Sequence, residues 1–556
     1  MNLNIKNSGK FLLAGVALIA QGCLNDFQEI NTNQQNPTAA QKNLDGVAAG
    51  GYFTDFQKRV VPTRSNGEGT DRPNEYQVAF NLAADNWAGY MSPMANKFNN
   101  GNNFTTNFMI KGWVNYTYQT MFTNIMNPWI QIKQQTHRVE MVDGKPVFHK
   151  KDLLNQANFA IAQIIKIQAL HKTTDMFGPL PYKGISSGNL YVAYDSQEDI
   201  YKSFFEELDK AVKTLSEYSQ INDKILEDFD GVYHGDVNKW MKLGNSLMLR
   251  LAMRVKYVDP ELCRKYANKA INNPGGLIEK TDDIAMLKTG NLFNYLNSIH
   301  LLWDAYNDCR MGATILSYLN GFNDPRLPAY FRQGSTEASG PKQYLAVRTG
   351  VPQQDNVNFY TTYSVPNIED DTPTYWFKAS EVLFLKAEAA LDNIISGDAK
   401  TFYEDGVKMS FAENNVNIGN YLETGGSADQ YVDPKNTKYN ASAPSSLSKK
   451  WDDVSNNEEH LEQIITQKYI AIYPDGQEAW SEWRRTGYPK QIPAYLNKTN
   501  AGVIKSDGHK NGVRRFPFPQ SELDENTANV TKAIGLLNGP NNSATHLWWD
   551  ANPNLK

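Results

Sequence analysis

Apolar residues recurring every three to four positions constrain this chain most, because only a helix gathers such positions onto one face. Leu154, Ala157, Ile161, Ile164 and Gln168 line one face, with Ile165 beside it. Ile200, Phe204, Leu208, Ala211 and Leu215 make a second stripe, and Trp240, Leu243, Leu247 and Leu251 a third. Val382, Leu385 and Ala389 make a fourth, followed by a helical segment from Ala399 to Asn414. Such stripes bury against a neighbouring element, so they read as core. The punctuation agrees. Asp199 and Asp236 suit N-cap or first-turn positions, and Asp259-Pro260 closes one helix and opens the next. The expected fold is mainly α.

Long irregular stretches separate the helices: Asn96 to Asn107, Gln333 to Asp371 and Thr424 to Lys450. Loops of this length in a compact protein are functional or disordered. No simple repeat period is visible. The 556 residues allow a large core, and 12% aromatics exclude a disordered chain. With 55 Lys and Arg against 60 Asp and Glu, the net charge is −5, so no nucleic-acid partner is expected. No apolar run reaches the roughly 18 residues that a membrane-spanning helix needs.

Lys6 and Lys10 precede the apolar run Phe11 to Ala20, which ends at Gln21-Gly22-Cys23. A basic start, a short apolar stretch and a small residue before the cut describe a secretory signal over residues 1–22. A cysteine directly after the cut resembles a lipoprotein processing site, so Cys23 is the expected lipidation site. Two or more acyl chains anchor stably, each buried methylene adding about 0.8 kcal/mol. Residues 23–40, rich in Asn, Gln and Thr, read as a lipidated tether, and residues 41–556 as one domain. Asp26 and Glu29 resemble an acidic signal that sends some lipoproteins to the outer face. The other two cysteines, Cys263 and Cys309, either stay apart as buried thiols or pair.

The sequence holds no Walker loop and no HExxH, and neither G-x-S-x-G nor G-x-G-x-x-G follows a predicted strand. No two of the eight His are spaced i, i+4. No catalytic residue, metal ligand or cofactor is therefore assigned. Glu227, Asp228, Asp230 and Asp236 cluster around His234, which leaves a structural Ca²⁺ possible, although the spacing is not that of an EF-hand.

Several motifs in order resemble the SusD/RagB family, closest to its SusD-like_2 branch. They are DFQEIN at 26–31 with Asn36-Pro37, DMFGPLPY at 175–182, GDVNKWMKLGNSLMLRLAMRV at 235–255 and NDPRLPAYF at 323–331. ASEVLFLKAEAAL at 379–391, QEAWSEWRRTGYP at 477–489, RRFPFPQSELDENTANV at 514–530 and Trp548-Trp549-Asp550 complete the set. One departure is Gly244, where the family often has Ala. The resemblance implies a tetratricopeptide-repeat-like helical scaffold with long loops and short strands. It implies an outer-membrane lipoprotein, anchored by lipid and facing the cell exterior, that is not an enzyme. Such a protein binds oligosaccharide or oligopeptide and serves as the lid of a SusC-type TonB-dependent barrel. The alternative is a non-feeding structural subunit of another outer-membrane barrel assembly. A secreted glycosidase is a third reading and needs two carboxylates facing each other across a cleft.

Sugar sites combine aromatic platforms with amide and carboxylate hydrogen bonds, and peptide sites use the same residue types. Two regions qualify. One is Asn86 and Trp87 with Asn103 in the following loop, and the other is Trp303, Tyr306, Asp308 and Arg310. Each of these aromatics also fits a core position. Trp113, Tyr116 and Trp129 are assigned to the core. Glu482, Arg484 and Arg485 beside Trp480 and Trp483 read as a buried cluster in which forked Arg pairs lock helices. Phe177-Gly178-Pro179 reads as a tight helix exit.

Overall fold

Four of the helices expected above form and stack on one another. The computed structural model describes residues 47–555 except 94–97, 138–139, 143–144, 148–152, 190, 291–292, 338, 353–359 and 501–503. Cys23, the signal and the tether lie outside the described residues. The helices that position the site are α1 (Asp71–Tyr76), α2 (Lys111–Tyr118), α3 (Asn124–Thr136), α4 (Leu153–Phe177), α5 (Gln197–Ser219) and α6 (Val237–Arg254). After them come α7 (Pro260–Asn272), α8 (Ser298–Trp303), α9 (Ala379–Leu391), α10 (Ala399–Glu413), α11 (Asn457–Ala471) and α12 (Gly476–Thr486). Consecutive helices pack directly: α3 on α4, α4 on α5, α5 on α6 and α6 on α7. A second set packs α9 on α10 and on α11, and α6 against α9 joins the sets. This is a tetratricopeptide-like scaffold, and from Tyr52 onward the chain forms one compact unit.

Local chemistry explains where these helices begin and how closely they approach. The Asp236 carboxylate accepts the Lys239 N–H at 3.1 Å and Asp259 accepts that of Leu262 at 2.9 Å, each capping a helix. Asp199 sits in the first turn of α5, whose cap is Ser196. Helix α4 is buried on every side from Ile164 to Phe177, so it is a central helix, although Leu154 near its start is exposed. It ends at Gly178, whose φ of +84° suits a residue without Cβ. Gly244 has a packing reason, since a Cβ there would stand 2.9 Å from Val212 Cγ2 and 3.2 Å from Ile164 Cδ1.

Strands are short, and the named ones pair two by two. β1 (Arg64–Ser65) pairs with β6 (Tyr295–Leu296), β2 (Met91–Ser92) with β7 (Arg310–Met311), β3 (Glu140–Val142) with β4 (Lys145–Val147) and β5 (Ala285–Leu287) with β8 (Thr374–Phe377), all antiparallel. Met91 lies opposite Met311 and Ser92 opposite Arg310, which ties the two regions chosen from sequence to one ladder. The long loop after Gln333 is held by a buried cluster of Leu345, Val347, Val351, Tyr360, Tyr363 and Tyr439.

The centre is charged. Arg250 makes a forked pair with Glu381 at 2.8 and 2.6 Å, and Arg485 one with Glu388 at 2.6 and 2.7 Å. Arg254 reaches Glu478 at 2.5 Å, Asp175 at 3.2 Å and also Glu482. Lys468 stands 3.3 to 3.4 Å from Glu381, Glu478 and Glu482. These buried groups come from α4, α6, α9, α11 and α12. Burial opposes ionisation of Glu388, but Arg485 and Lys256 outweigh it and hold the carboxyl well below its usual range. The predicted Glu482–Arg485 fork is part of this network, at 2.6 Å.

Cys263 and Cys309 are separate buried thiols, each pushed by burial to a pKa of about 12. In the acidic run at 227–236, buried Asp230 accepts the N–H groups of Val232, Tyr233 and Gly235 and the Trp240 indole at 2.7 to 3.2 Å. Its oxygens therefore organise a turn. The run GISSG at 184–188 has G-x-S-x-G spacing but forms a turn, and Ser186 Oγ accepts Lys133 Nζ at 2.6 Å.

Candidate functional site

Helix α8 starts at Asn297, whose side chain accepts the Ile299 N–H at 3.0 Å, and stops at Trp303. The chain then turns through Asn307 at a φ of +56°, with the Tyr306 and Asp308 N–H groups bonded back to Leu301 and Leu302. Three positions apart, Trp303 and Tyr306 would share a face if the helix ran through both. In fact Trp303 closes the helix and Tyr306 lies in the turn after it. Both stay partly exposed. The Trp303 indole donates to the Ile368 carbonyl at 2.7 Å, with the Arg332 guanidinium 4.9 Å from the ring centre and His300 edge-on at 5.0 Å. His300 in turn lies 3.0 Å from Glu369, which also pairs with Arg332. The ring is thus fixed, with a charged rim around it.

Tyr306 donates its hydroxyl to Asn74 Oδ1 on α1 at 2.9 Å, and α1 packs on α8. Tyr116 on α2 is half-buried beside them. Burial and the neighbouring Glu75, Asp71 and Tyr306 raise its pKa. Tyr116 and Trp113 were assigned to the core, but α2 lies at the surface and leaves both partly exposed, whereas Trp129 is buried. Asp308 is buried and accepts Gln77 Nε2 at 2.5 Å. Arg310 is 2% exposed and donates to the carbonyls of Cys309, Tyr360 and Thr361 at 2.7 to 3.1 Å. Burial brings its pKa down to about 10. It clamps the 360–361 backbone from inside, while Trp303 and Tyr306 face outward.

The other region lies deeper. Trp87 is 8% exposed, donates to the Phe104 carbonyl at 3.0 Å and packs on Trp480, Phe516 and Phe104, with centroids 4.8 to 5.8 Å apart. Asn103 is buried and caps the turn Phe104–Thr106 by accepting the Thr105 N–H at 3.0 Å. Asn86 is buried and its Oδ1 accepts the Thr349 hydroxyl at 3.2 Å. Asn86 and Trp87 line a cavity of about 40 Å³ with Trp480 and Trp483. Asp85 lines a separate cavity of about 30 Å³. Burial pushes its pKa up to about 7, against hydrogen bonds from Tyr76 and Asn81.

Sequence reasoning missed Arg332, His300, Glu369, Asn74 and Gln491. Arg332 directly follows the NDPRLPAYF motif and His300 stands three residues before Trp303, so their places were within reach, but Glu369, Asn74 and Gln491, which lines the Trp87 cavity, come from segments far apart in the chain.

Known proteins share the helical scaffold that carries these residues. The family model described as Susd and RagB outer membrane lipoprotein matches residues 29–550. Among curated proteins, none matches the chain. The structure of BT1043 shares 35% identity at a TM-score of 0.81, covering 91% of this chain and 99% of that one. A chitin-binding SusD homologue from Flavobacterium johnsoniae shares 32% at a TM-score of 0.81, with the same coverages. A SusD homologue from Bacteroides vulgatus shares 33% at 0.78, covering 91% and 98%. The chain belongs to the SusD and RagB family of outer-membrane lipoproteins.

Proposed function

We propose that this protein captures oligomeric nutrients at the cell surface, anchored through Cys23, and hands them as a lid to a SusC-type TonB-dependent barrel. It does so by binding, without chemical turnover. The observation that carries this reading is the outward Trp303–Tyr306 face with its polar rim of Asn74, Arg332 and Glu369. An aromatic ring held by its own N–H and flanked by hydrogen-bonding groups suits the apolar face and polar edge of a sugar ring. The chitin-binding relative supports a glycan over a peptide as the ligand.

Trp303→Ala tests the reading in a calorimetric screen of glycan and peptide oligomers. Removing a central stacking aromatic costs about 2 kcal/mol or more, roughly thirtyfold in affinity. The melting temperature should stay close to wild type, since the ring is only partly buried. Undiminished binding by a well-folded Trp303→Ala protein rejects the site.

A further inference from the structure

We infer that the cavity behind Trp87 is a subsite for a small, neutral, oxygen-bearing group of the ligand, of the size and chemistry of an acetamido substituent. This rests on the reading that the protein binds oligomers, and it narrows their class to N-acetylated sugars.

Three observations converge on it. The first is hydrogen bonding. Asn86 Nδ2 and Gln491 Nε2 are buried and have no partner among the described residues, and both residues line the cavity. Asn86 is 2% exposed, and its other terminal atom is already engaged by Thr349. Buried donors of this kind are normally satisfied, so two around one cavity call for an acceptor oxygen inside it. The second is the wall. Trp87, Trp480 and Trp483 line the same space, and their indole N–H groups donate to the carbonyls of Phe104, Val513 and Gly508. The rings therefore offer apolar faces for a methyl group, set among the polar groups that make up the rest of the wall. The third is charge. Among the described residues, no Asp, Glu, Lys, Arg or His lines the cavity. A carboxylate or ammonium would lose its hydration with nothing to replace it, so charged peptide ends and free amines are disfavoured.

Size sets the rest. A water needs about 10–15 Å³ of such space, so about 40 Å³ holds roughly three waters. That is room for a carbonyl with its methyl group and not for a whole sugar ring. The partly exposed Pro493, Ala494 and Ser506 and the exposed Asn511 also line the cavity and give it a route to the surface.

Saturation-transfer NMR with N-acetylglucosamine, and with glucose as the control, tests this on the wild-type protein, Asn86→Leu and Gln491→Leu. The expected result is strongest saturation at the acetyl methyl in wild type, its loss in both Leu variants, and no comparable signal from glucose. Gln491→Leu decides alone if Asn86→Leu does not fold. Methyl saturation no greater than that of the ring protons overturns the assignment, as does a signal unchanged by Gln491→Leu. So does a soaked crystal with only ordered water in the cavity. If oligomers bind through Trp303 while the methyl signal is absent, the subsite falls and the binding function stands. If no oligomer binds at all, the binding function falls.

Discussion

Asp85 has one carboxylate oxygen without a partner among the described residues, while the other accepts the Tyr76 hydroxyl at 2.9 Å. Burial lifts its folded pKa to about 7, against about 3.9 in an unfolded chain. Below about pH 4 both states are protonated, and Asp85 favours neither. As pH rises from about 4 to 7, the unfolded chain ionises first and gains, so stability falls and then levels off. Asp85→Asn removes that penalty. Its expected gain is up to about 4 kcal/mol at about pH 8 and little at about pH 4, read from denaturant midpoints at the two pH values. Equal effects at both would show that folding does not raise the pKa of Asp85. Nothing near Asp85 in the sequence signals this, because its burial depends on α12, far along the chain. Trp303 was legible because Tyr306, Asp308 and Arg310 follow it closely in sequence, whereas Arg332 stacks on it across a fold.

Spacing within each helix explains the charge network. Arg250 and Arg254 are i, i+4 on α6, Glu478 and Glu482 are i, i+4 on α12, and Glu381 and Glu388 are i, i+7 on α9, so each set shares one face. The fork at Glu482 and Arg485 could be read from one segment, since both partners lie within a turn. The pairing of Arg250 with Glu381 or Arg485 with Glu388 joins helices and has no local signal. Glu388→Gln takes away the forked partner of Arg485 and the buried partner of Lys256, leaving Arg485 to Glu482 alone and Lys256 to the partly exposed Asp392. Breaking such a pair from one side costs about 3–5 kcal/mol, measurable as a lower denaturant midpoint. Because the folded pKa of Glu388 is depressed, its contribution is full above about pH 4.3 and is lost as pH falls toward the folded value. The mutant and wild type should therefore converge in acid. A stability gap that persists there rejects the electrostatic account.

At the scale of the whole molecule, the helical architecture was legible because its stripes are long and its motifs run in one order from end to end. The loops were less so. Their order comes from contacts such as the cluster around Tyr363, which joins one loop's own residues to Tyr439 from another. Attachment to the membrane is a separate question, and the proposed anchor is Cys23. Cys23→Ala, expressed without a barrel partner, should move from the membrane fraction to the soluble fraction. Continued co-sedimentation with membranes would place the anchor elsewhere. The central ion pairs have a further consequence. Arg250, Arg254, Arg485, Glu381, Glu388 and Glu478 are each no more than 2% exposed in the side chain, so dissolved ions have no path between the partners. Mobile salt weakens charge pairs that it can surround and leaves enclosed ones nearly untouched. A fold tied together this way should melt at nearly the same temperature in dilute buffer and in seawater-strength brine, a tolerance set in the interior and independent of the protein's surface.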